Sequence, residues 1–152
     1  MLASAFYRAR QPSADRACWP LLARSGWNLF CQEGAAALLE CQRQGIKVHC
    51  AGIFRYIYNG ASAEELAAGT DPFATTRQAW TRLCEQHGVS LAAAAISFAA
   101  LLPIVDKVVM GFSLPEEVGP TLAAAAEVVP PALWHDAQAE GLLVPELRLP
   151  PA

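Results

Sequence analysis

Three groups of residues among the 152 carry side chains that could do chemistry: three histidines, five cysteines and the Gly-Phe-Ser-Leu-Pro-Glu-Glu segment at 111–117. His49, His87 and His135 lie far apart, and none is paired with a nucleophile that it could activate as a general base. Satisfied or solvated imidazoles are therefore expected. Cys18, Cys31, Cys41, Cys50 and Cys84 form an odd set with no Cys-x-x-Cys pair, and no Cys/His cluster has zinc-site spacing. They read as reduced, mostly buried small hydrophobes of a cytoplasmic protein, with no metal. In the third group Ser113 and Glu116 have the spacing of a capping box, which marks the start of a helix.

The elements that must position these residues follow from hydrophobic periodicity and its punctuation. Ala37, Leu38 and Cys41 recur at helical spacing and Gly45 follows as a stop, so one helix ends near Gln44. Residues 46–54, IKVHCAGIF, are short, apolar and rich in β-branched types, which predicts a buried strand. Residues 55–76, with Asn59, Gly60, Gly69 and Pro72, read as a long connection with a weak helical stretch at 63–67. Helical spacing returns with Ala79, Trp80, Leu83 and Cys84, and Gly88 terminates it. Ser90 then caps a helix whose Leu91, Ala94, Ala95, Phe98, Leu101 and Leu102 share one apolar face, ended by Pro103. KVVMG at 107–111 is a second buried strand. A helix opens at Ser113, and Pro130 and Pro131 separate it from a last one. Upstream, residues 18–30 hold a further strand and loop, weakened by Pro20. Alternating strands and helices of these lengths imply parallel strands joined by right-handed crossovers, with helices on one outer side.

Composition narrows the functions. Hydrophobic residues make up 54% and charged residues 16%, so the chain can fill a core and lacks the signature of disorder. A net charge of -3 with no dense Lys/Arg run gives no basic field for nucleic acid or an anionic membrane surface. The longest apolar run, residues 91–105, is interrupted by Pro103 and falls short of the ~20 residues that span a bilayer, so no membrane segment is expected. The N-terminus has no continuous apolar stretch ahead of a cleavage site and does not read as a secretory signal.

Residues 26–33 (GWNLFCQE), the strand at 46–54 and above all HGVSLAAAAISFAALLPIVDKVVMGFSLPEEV at 87–118, continuing into PPALWHDAQAEGLL, resemble the last part of aldo-keto reductases. The branch resembled contains the D-threo-aldose and L-fucose 1-dehydrogenases. The likeness spans residues 25–144, leaving 1–24 as an irregular N-terminal segment and 145–152 as a tail. It implies an α/β fold class: a partial (β/α)8 TIM barrel of about three C-terminal βα units plus a terminal helix, because a whole barrel takes ~250 residues. It also implies an NAD(P)-dependent oxidoreductase acting on an aldose or another carbonyl or alcohol. The family's tetrad of Asp, Tyr, Lys and His belongs to the first half of the barrel, and no position here corresponds to any of the four. No catalytic residue is therefore expected in this chain, and no activity from it alone.

The same resemblance places the phosphate side of a cofactor site at Gly111, Phe112, Ser113, Leu114, Glu117 and Thr121, where a loop leads into a helix N-terminus, with Trp27 either as a pocket aromatic or, the commoner case, as a core or interface residue. The family commonly reads Gly-Ala-Arg-Ser-Pro-Glu-x-Val followed by Asn. Here Ser113 replaces the Arg, Leu114 the Ser and Thr121 the Asn. Ala51, Gly52, Ile53, Phe54 and Arg55 stand where relatives carry an aromatic-Ser-Pro-Leu-Gly segment that stacks on the nicotinamide. No Lys or Arg occurs between Val108 and Leu147, while Glu116, Glu117, Glu127, Asp136, Glu140 and Glu146 are all acidic. NAD is accordingly expected to be held at least as well as NADP, and both weakly. Open strand edges imply a complementary barrel half or self-association as partner. The alternative reading is a non-catalytic remnant or self-associating interaction module.

Overall fold

The computed structural model describes residues 6–7, 21–24, 26–57 and 71–151. Its elements alternate as their sequences dictate. Helix α1 (Ala35–Gln44) stops at Gly45, whose left-handed φ of 68° turns its N–H back onto the Cys41 and Gln42 carbonyls. Strand β3 (Val48–Ala51) follows directly. Helix α2 (Ala74–Gln86) ends two residues before Gly88, which also has positive φ. Helix α3 (Leu91–Ala99) starts at Ser90, whose hydroxyl accepts the Ala93 N–H at 3.1 Å. Strand β4 (Val105–Val109) begins two residues earlier than the apolar run suggests. A 3-10 turn (Pro115–Glu117) then leads into α4 (Val118–Ala126), and Pro131 opens α5 (Pro131–Ala139). The expected helical stretch at 63–67 and Cys18 lie outside the described residues.

The fold is mixed α/β around a small sheet. The strand expected within residues 18–30 is β2 (Leu21–Arg24), and a further strand, β1 (Phe6–Tyr7), stands in the segment expected to be irregular. A run of two residues is too short to show a period. The sheet order is β1-β2-β3-β4, with β1 antiparallel to β2 and the other three strands parallel. The expected parallel adjacency of the strands around His49 and Lys107 holds. Register places Leu22, His49 and Lys107 side by side, then Ala23, Cys50 and Val108, then Arg24, Ala51 and Val109.

Because side chains alternate along a strand, this register sorts the sheet into two faces. The core face carries Ala23, Val48 and Cys50, all buried in one cluster with Leu38, Trp80, Phe98 and Leu133 from the helices. Burying each large side chain of that cluster contributes on the order of 1.5–3 kcal/mol. The opposite face carries Leu22 (38% exposed), half-buried His49 and Ala51, exposed Lys107 and Val109 (45% exposed). None of these belongs to the buried cluster, so among the described residues this face is open. Residues 145–151 of the tail dock on the body: Leu147 is buried, and Gln138 Nε2 donates to its carbonyl at 3.2 Å.

Candidate functional site

Parallel α/β sheets bind ligands outside the carboxyl ends of their strands, so the loops after the strands are where a site would be built. After β2 the chain folds on Asn28, a fully buried residue whose Oδ1 accepts the Phe30 N–H at 2.9 Å and the Cys31 N–H at 3.0 Å. The Gly34 N–H closes the loop on the Gly26 carbonyl at 2.9 Å, and a Cβ at Gly34 would stand only 2.9 Å from that same oxygen. This closure draws Trp27 inward. Trp27 is 1% exposed and lies against Phe98 with ring centroids 4.5 Å apart. It is a core residue, the commoner of the two places expected for it. Its indole N–H has no hydrogen-bond partner among the described residues, a cost of about 1–3 kcal/mol that the surrounding packing must offset.

After β3 the structure holds a group that the sequence did not reveal. Tyr56 adopts a positive φ of 69°, a strained conformation for a non-glycine residue. Its ring stacks on Phe73 at 4.2 Å, Phe30 meets Phe73 edge-on at 6.0 Å, and the Arg55 guanidinium stands 4.9 Å from the Tyr56 ring centre. Arg77 fixes the turn by donating from Nε (3.1 Å) and Nη2 (2.9 Å) to the Tyr56 carbonyl. The same guanidinium pairs with Asp71 and holds that carboxyl below its usual range, helped by the Phe73 N–H. A second aromatic, Tyr56, thus stands just past the 51–55 window, which itself holds Phe54. Gln32 was missed as well: it donates to the Leu142 carbonyl at 2.8 Å and accepts from the Val144 N–H at 2.9 Å, tying the β2 loop to the C-terminal segment. These contacts bridge up to 112 residues and leave no local signal.

After β4 the expected phosphate-side residues sit together but open to solvent. Gly111, Phe112, Ser113, Leu114 and Glu117 are exposed, and Thr121 is half-buried. The expected Ser113/Glu116 capping box is shifted by one residue. Glu117 Oε2 accepts the Ser113 N–H at 2.8 Å and the Leu114 N–H at 3.3 Å, because Pro115 inserts a 3-10 turn ahead of α4. The Thr121 hydroxyl donates to the Glu117 carbonyl at 2.7 Å. The backbone donors that a phosphate would take are therefore held by the chain's own carboxylate, with Glu116 beside it and no cation between Val108 and Leu147. These residues do not fit a 2'-phosphate.

The remaining titratable groups are structural. On the open face Asp106 accepts from Lys47 Nζ at 3.2 Å and stands 3.4 Å from His49 Nε2. Those contacts, Lys47 first and then His49, hold its carboxyl below the usual range. His49 and Cys50 are neighbours in sequence but project to opposite faces of the sheet. His87 Nε2 lies 2.8 Å from Asp136 Oδ2, joining α2 to α5, and His135 Nε2 lies 2.9 Å from the Pro150 carbonyl. Cys41, Cys50 and Cys84 are buried and free; burial pushes the thiols of Cys50 and Cys84 up to about 11. Among the described residues there is no His/Cys/Asp/Glu group suited to a metal ion, and no helix is long and apolar enough to cross a membrane. Comparison with protein-family models and with curated proteins gives no match.

Proposed function

We propose that this chain is the C-terminal portion of an aldo-keto-reductase-like barrel, contributing its last three βα units to an NAD(P)-dependent oxidoreductase that acts on an aldose or another carbonyl or alcohol. Asp, Tyr, Lys and His of the family's tetrad come from outside this sequence. The observation that carries the reading is the sheet: three parallel strands in order, helices packed on one face, and an open face with Leu22, Ala51 and Val109 where a closed barrel has its interior. The resemblance at 87–118 runs through the last strand to the first residue of α4. An activity assay with NAD or NADP and L-fucose tests the proposal, using the chain alone and mixed with a chain carrying the family's first five βα units. No turnover alone and turnover on mixing is the expected result. Turnover by the chain alone, or none from the mixture, overturns it.

A second reading, a non-catalytic self-associating module, is favoured by Glu117. A carboxylate holding the Ser113 and Leu114 N–H groups leaves no phosphate site to use. Sedimentation velocity at micromolar concentration separates it from a solitary chain: an oligomer supports it, and a sharp monomer boundary contradicts it.

A further inference from the structure

The outer edge of β4 points to a specific partner, a second copy of this chain. Strand β4 stands last in the sheet, and no described strand pairs with its free side. Such an edge offers a row of backbone N–H and C=O groups that another strand can complete. Its register with β3 is irregular: Val48 faces Val105 and His49 faces Lys107, so Asp106 is an extra, bulged residue. The Asp106 carboxylate reaches His49, an open-face residue. Asp106 and Lys107 therefore both lie on the open face, while Val105 and Val108 share the core face and pack against the cluster there.

This arrangement makes the strand self-complementary in one register. We infer that two copies join antiparallel through their β4 edges about a two-fold axis between Asp106 and Lys107, forming one continuous eight-stranded sheet. In that register Asp106 of each copy stands opposite Lys107 of the other, and Val105 stands opposite Val108. Directly opposed residues of an antiparallel pair share a face, which both pairs satisfy only because the bulge puts two consecutive residues on the open side. Lys107 is exposed and makes no ion pair among the described residues, which leaves its ammonium to the exchange. Shifting the axis onto Lys107 would set two ammonium groups against each other. The charges that discourage indiscriminate edge pairing thus select this one.

The inference rests on the self-association reading above and names its surface. Sedimentation equilibrium of the full chain tests it with Lys107→Glu, Asp106→Lys and their mixture. Each variant alone opposes like charges and should weaken dimerisation roughly ten-fold relative to wild type. In an equimolar mixture the two introduced side chains, of opposite charge, face each other, and the native Asp106 of one copy faces the native Lys107 of the other. The mixture should therefore restore a dimer containing one copy of each variant. Lys107→Glu leaves every described ion pair intact, so its far-UV spectrum and melting temperature should match wild type. Dimers of unchanged strength in Lys107→Glu, or no heterodimer in the mixture, overturn the β4 register while leaving self-association through another surface standing. A monomeric wild type overturns both.

Discussion

Trp27 and Phe98 lie ring against ring, 4.5 Å apart and inclined by 29°, joining the loop after β2 to helix α3 inside the core. The contact places Trp27 among the residues that hold the fold. Trp27→Ala should cost roughly 3–5 kcal/mol in urea unfolding, and a loss below about 1 kcal/mol would show that the site collapses around the cavity. Trp27→Phe should cost less, because it also removes the orphaned indole N–H.

Cys50 and Cys84 should resist alkylation at pH 8. Burial holds both thiols near 11, and the charges of Glu127 and Glu85 add to the effect at Cys84. Mass spectrometry after iodoacetamide treatment should find half-buried Cys31 modified before either of them. Early labelling of Cys50 or Cys84 would mean that the core opens readily.

The fold should lose stability in acid. Asp106, Asp71 and Glu127 are held below their usual ranges, by Lys47 and His49, by Arg77, and by the Ser90 N–H and hydroxyl respectively. Depressed carboxyls stabilise the fold above their unfolded values, about 3.9 for Asp and 4.3 for Glu, and this contribution is lost as pH falls through the folded values. Melting temperature should therefore drop from pH 5 toward pH 2, and less steeply in Glu127→Gln. Equal slopes in the two proteins would show that the Ser90 contacts do not persist in solution.

Much of the element order was legible because its signals are local. Gly45, Ser90 and Pro131 each act within a turn of the chain, and each stands at the boundary it was expected to mark. The sites were less legible because they depend on distant partners. Trp27 meets Phe98 across 71 positions, and Tyr56 is set by Phe73 and Arg77 across a long connection. Spacing rules see neither. The shift of the cap from Glu116 to Glu117 was a local effect, caused by the tighter turn that Pro115 introduces. The open face could be expected from strand count, but its self-complementary edge needed the Asp106 bulge, which no sequence period reveals.

Glu117→Gln should raise affinity for NADP more than for NAD. The substitution removes the negative charge nearest the Ser113 and Leu114 N–H groups while keeping a side chain of the same size. Competition titration with the two cofactors reads the ratio, and an unchanged ratio would show that Glu117 does not face the 2'-phosphate.

Calorimetric titration of the wild-type chain with NAD and with NADP tests the oxidoreductase reading most directly. The helix N-terminus contributes only about 0.3–1 kcal/mol toward an exposed anion, and Glu116 and Glu117 oppose it. Saturable but weak binding, with NAD held at least as well as NADP, is the predicted result. A clear preference for NADP would contradict the electrostatics derived for residues 111–121, and saturable binding of neither cofactor would favour the non-catalytic reading over the oxidoreductase one.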